Sequence, residues 1–333
     1  MPAAESAMFL PAEQEARLIA ILRGAPPSGD LTQLRQSALF AGVAGPIALA
    51  LGDSESLAIQ ELSHQRGLLW VTRIGRALDA ASVPFLVLNG VPLGERYYNP
   101  PYLRTYSDLD FLIDPANFPA AHAAILALGY TPSQSVPSQT TLLLGHDATY
   151  EHPSGPLLEL HVRLHSLFGI RPDARPFLAA SIPQQLTNGY TVRVLNPEDE
   201  FVHLAAHAAS HRWCQARWVY DIVLLLNHQP SLDWPRIAAS TGALRLWPTV
   251  LLTCALLQSE WQCAVPLAAL VPSRFRRAQQ LLPSVRYSQW DGSNWFKFAY
   301  LLKETALCGG PVQKFRFLVH GLTYPLLRRW RER

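Results

Sequence analysis

The chain is expected to fold as an α+β protein, with a core carrying strands over residues 80–165 between a helical segment over 1–79 and a mainly helical region over 166–333. Three observations predict this. Apolar residues recur at helical spacing before residue 80, short apolar runs bounded by turn residues occupy 83–162, and helical spacing returns from Pro197. The 333 residues are 49% hydrophobic, enough to fill a sizeable core, and only 16% charged, which marks a globular chain.

From Glu13 to about Ala80 the spacing of Leu18, Ile21 and Leu22, and then of Leu57, Leu62, Leu69, Ile74 and Leu78, predicts helices broken by the Pro-Pro-Ser-Gly at 26–29. Val83 to Leu88 reads as a short buried strand. It runs into Asn89-Gly90, a turn signal that lets backbone approach a ligand closely. Arg104 to Ile113 reads as a loop entering a second strand. Asp114 is a preferred N-cap and Pro115 fits the first helical position, so a helix is expected from there to about Leu128, closed by Gly129. After the turn at 153–156, Leu157 to Val162 reads as a further strand with Glu159 and His161 on one face and Leu158, Leu160 and Val162 on the other. Glu198 to Ser210 and Ala216 to Asn227 form an expected helical pair, followed by apolar-periodic segments near 246–258 and 294–307.

The strand at 104–113 carries the chemistry. Residues i and i+2 of a strand project from one face, so Asp108 and Asp110 converge. Two convergent carboxylates repel each other and attract a hard divalent cation such as Mg²⁺, whose usual companions are one or two carboxylates and substrate phosphates. That chemistry points to phosphoryl-type transfer.

A strand with a glycine turn, then Asp-x-Asp on a second strand, then a lone acid on a third, in this order, resembles the nucleotidyltransferase superfamily with its polymerase-beta-like fold. More closely, 86–93, 103–113, Gly129-Tyr130 and Glu159-Leu160-His161 resemble the uncharacterised bacterial nucleotidyltransferase-like family. The likeness extends through Asn196-Pro197-Glu198-Asp199 and 207–221, so that it covers roughly residues 55–230. The resemblance implies a nucleotidyltransferase-fold mixed sheet with flanking helices. It also implies transfer of a nucleoside monophosphate from an NTP to a hydroxyl or phosphate of a small-molecule, glycan or peptide acceptor, with release of pyrophosphate. Asp108, Asp110 and Glu159 are then the catalytic and metal-binding carboxylates for Mg²⁺ or Mn²⁺, and Asn89, Gly90, Arg104 and His161 the nucleotide-binding residues.

The resembling family usually has a lysine where this chain has Asn89, a neutral amide in place of a point charge. Either phosphate binding is weaker here, or Arg104 or Arg96 supplies the missing charge. The alternative is a non-catalytic nucleotide- or partner-binding protein that keeps the fold, and a phosphotransferase would use the same metal chemistry but release a nucleoside diphosphate. His203, His207 and His211 recur every four residues and so line one helical stripe; structural hydrogen bonding, a place facing the nucleotide or acceptor, and a transition-metal site are all compatible with that spacing. The resemblance singles out His207 and Asp221, and Asp221 is placed to orient a histidine.

A formal net charge of +3 without a basic stripe does not favour a nucleic-acid partner. Cys214, Cys254, Cys263 and Cys308 show no paired C-x-x-C spacing, and the amino terminus shows no leader pattern, which predicts a reduced, cytoplasmic protein. No apolar run approaches the roughly 20 residues of a membrane span. The tail from Lys314 to Arg333 mixes apolar residues with arginines, a pattern compatible with peripheral membrane contact or with docking on its own domain, and Gly321 and Pro325 interrupt it.

Overall fold

A computed structural model describes residues 10–133, 147–164 and 172–286, together with 305, 308, 310–315 and 317–319. The amino-terminal part is four helices: α1 (Ala12–Leu22), α2 (Leu31–Phe40), α3 (Ala44–Leu51) and the long α4 (Ser54–Ala80). Asp30 and Asp53 cap α2 and α4 by accepting backbone N–H bonds from their first turns. The buried residues of α4 are His64, Gly67, Leu68, Trp70, Val71, Ile74, Gly75 and Leu78. Leu62 and Leu69, expected among them, point outward at 72% and 54% exposure. Gly67 and Gly75 lie on the contact line beside Leu68 and Leu78, because a side chain at 67 would occupy the place of the Tyr106 ring and one at 75 that of the Tyr190 ring.

The sheet is built from β1 (Phe85–Leu88), β2 (Asp108–Ile113), β3 (Thr131–Pro132), β4 (Asp147–Glu151) and β5 (Leu157–His161), in the spatial order β1-β2-β5-β4-β3. Only β2 and β5 run parallel; the other neighbours are antiparallel, so the sheet is mixed. Between β1 and β2 lies α5 (Gly90–Tyr97), a helix absent from the sequence reading because its run Gly-Val-Pro-Leu-Gly is rich in breakers. Asp114 accepts from the backbone N–H of Ala116 and opens a short 3₁₀ turn, which leads into α6 (Phe118–Ala127) and the left-handed Gly129.

One sheet face, with Phe85, Val87, Leu109, Phe111, Ile113, Leu158 and Leu160, packs against α4 and α6. The opposite face carries the polar residues. At its far end Leu86, Leu88 and Leu112 form a small core with Leu164, Phe177 and Leu195. Phe177 lies on α7 (Arg175–Ala180), next to a hairpin of β6 (Ile182–Gln185) and β7 (Thr191–Val194) that the sequence reading did not resolve.

The remainder is helical: α8 (Pro197–Ser210), α9 (Ala216–His228), α10 (Trp234–Ala243), α11 (Trp247–Ser259), α12 (Leu267–Leu270) and α13 (Pro272–Arg286). Asn196 caps α8 through the Asp199 N–H, with Pro197 in the first turn. Leu18, Ile19, Leu34 and Ile47 of the first three helices pack with Phe201, Ala205, Ile222 and Leu252, while α4 belongs to the sheet. No helix among the described residues is long and apolar enough to cross a membrane. The expected helix at 294–307 and the arginine-rich end of the tail lie almost wholly outside the described residues.

Candidate active site

Register assembles the site. In the parallel pair, Asp110 stands opposite Glu159 and Leu112 opposite His161, so Asp108, Asp110, Glu159 and His161 share one sheet face. From the other side, Leu88 pairs with Asp110, which places the turn after β1 at the carboxylates. That turn is unusual backbone: Asn89 has φ 48° and ψ −149°, and Gly90 follows at φ 45°. Asparagine and glycine are among the residues that tolerate positive φ, and a β-branched residue at 89 would be strained.

His161 donates from Nε2 to Asp110 Oδ1 at 3.1 Å and lies 3.4 Å from Glu159 Oε2. One potential ligand atom each from Asp110, Glu159 and His161 lie within 4.8 Å of one another, the compact set that could hold a metal ion. Asp108 stands outside that set, two residues back on the same face. Burial raises the Asp110 carboxyl, but the hydrogen bond and charge of His161 outweigh it and hold the group below its usual range. Burial opposes charge on His161 as well, yet its bonds to Asp110 and Glu159 keep it protonated well above its ordinary value. Asp108 is shifted the other way, upward, by burial and by the like charges of Asp110 and Glu159.

Asn89 does not offer a free amide. Its Nδ2 donates to Asp110 Oδ2 at 3.1 Å, so its Oδ1 faces His203 Nε2, also at 3.1 Å. A carboxylate can only accept, which fixes the orientation of the amide and requires the His203 proton on Nε2. His203, His207 and His211 do line one stripe of α8, with ring centroids 6.0 Å and 4.9 Å apart. They serve different neighbours. His203 meets Asn89, burial and the charges of His211 and His203 hold the His207 imidazole well below its ordinary value, and His211 stacks on Trp218 at 4.3 Å. None of the three belongs to the compact ligand set.

Arg104 and Asp221, both nominated by the sequence, meet each other. The guanidinium forks onto Asp221 at 3.0 Å and 2.8 Å, and Tyr98 Oη donates to the same carboxylate at 2.7 Å. Both side chains are buried, and Asp221 orients an arginine where a histidine was expected. The other candidate cation, Arg96, pairs with Glu200 at 3.0 Å and donates to Leu195 O at 3.3 Å. The residue that sequence reasoning passed over is Arg217, whose charge pulls on Asp108. Its position four residues before Asp221, on the same face of α9, was the available signal.

The model of the uncharacterised nucleotidyltransferase family matches residues 32–261. The chain belongs to this family. Among solved structures it is similar to the solution structure of the antibiotic-resistance factor ANT(2'')-Ia, with 15% identity, a TM-score of 0.38, and 55% of this chain and 92% of that one covered. It is also similar to the crystal structure of ANT(2'')-Ia in complex with adenylyl-2''-tobramycin, with 14% identity, a TM-score of 0.39, and 54% and 97% covered. No curated protein matches the chain.

Proposed function

We propose that this nucleotidyltransferase-family chain transfers a nucleoside monophosphate from a Mg²⁺-bound (or Mn²⁺-bound) NTP to a hydroxyl or phosphate of a small-molecule, glycan or peptide acceptor. The observation that carries the reading is the register of β2 on β5, which sets Asp110 opposite Glu159 with Asp108 on the same face. The donor set fits a hard cation: two carboxylates within ligand distance of each other, a third close by, and mutual repulsion already raising Asp108. Asp108, Asp110 and Glu159 would hold the ion, which when bound neutralises phosphate charge and acidifies an acceptor hydroxyl.

The chain's own groups set the rest. Asn89 and His203 keep Asp110 Oδ2 in place, so that carboxylate is oriented before any ligand arrives. His161 supplies positive charge to Asp110 and Glu159, and its Nε2 engages the same carboxylates that would hold the ion. Glu159 has the most exposed side chain of that compact set, at 28%, which suits it to accept the acceptor proton at a carboxylate oxygen.

The test is pyrophosphate release from Mg-NTP in the presence of a panel of hydroxyl acceptors, comparing wild type with Asp110→Asn. The variant should keep its far-UV circular dichroism and lose turnover. Wild-type turnover in Asp110→Asn would sink the assignment, and release of nucleoside diphosphate by the wild type would favour the phosphotransferase reading.

A further inference from the structure

Of the arginines Arg96, Arg104 and Arg217, two are ion-paired with a buried carboxylate. Arg104 is closed by Asp221 and Arg96 by Glu200. Arg217 is not. Its Nη1 donates to Thr105 O at 2.9 Å and its Nη2 to Gln215 Oε1 at 3.2 Å, both neutral acceptors. Its Nε is buried and has no hydrogen-bond partner. Among the described residues no carboxylate lies within 4.0 Å of this guanidinium.

The placement is built, not incidental. The Arg217 stem lies over Gly42, where a Cβ would meet Arg217 Cβ at 3.1 Å and Nε at 3.2 Å, and Gly42 itself sits at φ 71°. The Arg217 backbone N–H donates to Ala41 O at 3.0 Å, and Thr105 Oγ1 donates to Gly42 O at 3.0 Å, so the turn between α2 and α3, the start of α9 and the approach to β2 are tied together. That approach leads within three residues to Asp108. A largely buried guanidinium beside a second guanidinium, with its buried Nε–H unpartnered and no carboxylate within ion-pair distance, is costly unless an anion completes it.

We propose that Arg217 binds the triphosphate of the nucleotide, supplying the charge that the family's lysine would bring at position 89. The inference rests on the nucleotidyltransferase reading and deepens it. Arg217 reaches the phosphates from the α9 side of Asp108 and Asp110, whereas a lysine at 89 would come from the turn after β1. A planar guanidinium suits this place, because its fork can keep Thr105 O while turning another N–H to phosphate oxygen. With Asn89 committed to Asp110 and His203, the turn orients the metal carboxylate and leaves the phosphate charge to α9.

The experiment is calorimetric titration of the full chain with Mg-ATP, Mg-ADP and AMP, for wild type, Arg217→Gln and Arg217→Lys. Arg217→Gln should bind Mg-ATP roughly tenfold to hundredfold more weakly and AMP with unchanged affinity, as expected for one charge-assisted contact to the outer phosphates. Arg217→Lys should fall between them for Mg-ATP. If the glutamine variant fails to fold, the lysine variant decides alone: a reduced ratio of ATP to AMP affinity supports the assignment, and an unchanged ratio overturns it. An equal loss for all three ligands would mark Arg217 as a strut between α9 and the Thr105 carbonyl and overturn the proposal. Wild type that binds no Mg-nucleotide would overturn this inference and the nucleotidyltransferase reading together, whereas nucleotide binding that Arg217→Gln leaves unchanged would overturn this inference only.

Discussion

Replacing Asp221 by asparagine tests whether Arg104 belongs to the scaffold or to the nucleotide. The substitution keeps volume and one acceptor oxygen but presents an amide N–H₂ to a guanidinium that had two bonds to the carboxylate, at 3.0 Å and 2.8 Å. Arg104 then faces a donor with no compensating charge in a place where its side chain is only 5% exposed and that of its partner 0%. Removing one partner of such a buried pair costs about 3–5 kcal/mol. Tyr98 loses the charged character of its acceptor too, while Tyr98→Phe alone, which removes a single bond to a charged group, should cost about 1.5–3 kcal/mol. Urea denaturation of wild type, both single variants and the double variant gives these differences, and the double variant should cost less than the sum because both residues serve one carboxylate. A loss below about 1 kcal/mol in Asp221→Asn would refute the reasoning, since that is the range of solvent-screened ion pairs. Arg104 would then be free to turn toward the cleft.

Two further outcomes are expected. Asn89→Asp sets a carboxylate oxygen where the amide now donates to Asp110 Oδ2, so its melting temperature should fall below wild type in chelator and rise more than wild type on adding Mg²⁺; equal shifts in both proteins would contradict the amide bridge. Burial raises the Glu200 carboxyl from 4.5 to about 7, against the pull of Arg96 and Tyr97. The folded chain therefore keeps a proton that the unfolded chain has released across that window, and stability falls as pH rises through it, by on the order of 3 kcal/mol. Urea denaturation from about pH 5 to about pH 8 should show that slope in wild type and a flatter one in Glu200→Gln.

The parts of the fold legible in the sequence are those with a local cause. Asp114-Pro115 and Asn196-Pro197 mark helix starts by chemistry that acts within three residues, and the strand carrying Asp108 and Asp110 declares its faces by alternation. The position of Glu159 opposite Asp110 is a matter of register between segments about fifty residues apart; its strand was readable, and its partner was supplied by family resemblance. What was not legible depends on distant partners. Leu62 and Leu69 fit a helical stripe as well as the residues buried in their stead, and the packing of Leu68, Val71, Ile74 and Leu78 on the sheet, with the rings of Tyr106 and Tyr190 at Gly67 and Gly75, decides which side faces inward. An arginine near an Asp-x-Asp looks the same in sequence whether it meets phosphate or a carboxylate 117 residues away, and Arg104 meets the carboxylate. The spacing of Arg217 from Asp221 was readable, but the unpartnered Nε that distinguishes it from Arg104 exists only in three dimensions.

The sharing of one core between α1–α3 and α8–α13 bears on how the chain is made. Leu18, Leu34 and Ile47 share their core with Leu93, Tyr97, Tyr98 and Leu103 and with residues from Phe201 onward, so during synthesis the first three helices emerge well over a hundred residues before the last of the surfaces that bury them. The sheet needs none of those helices: α4, β1, β2, α6 and β5 follow one another closely and can condense first. Contacts so far apart in sequence close late, because the loop entropy must be overcome before any contact forms. The nascent chain is therefore expected to hold the sheet with α1–α3 only partly covered until residues from Phe201 arrive, an interval in which apolar helix faces are open to chaperones or to a neighbouring chain.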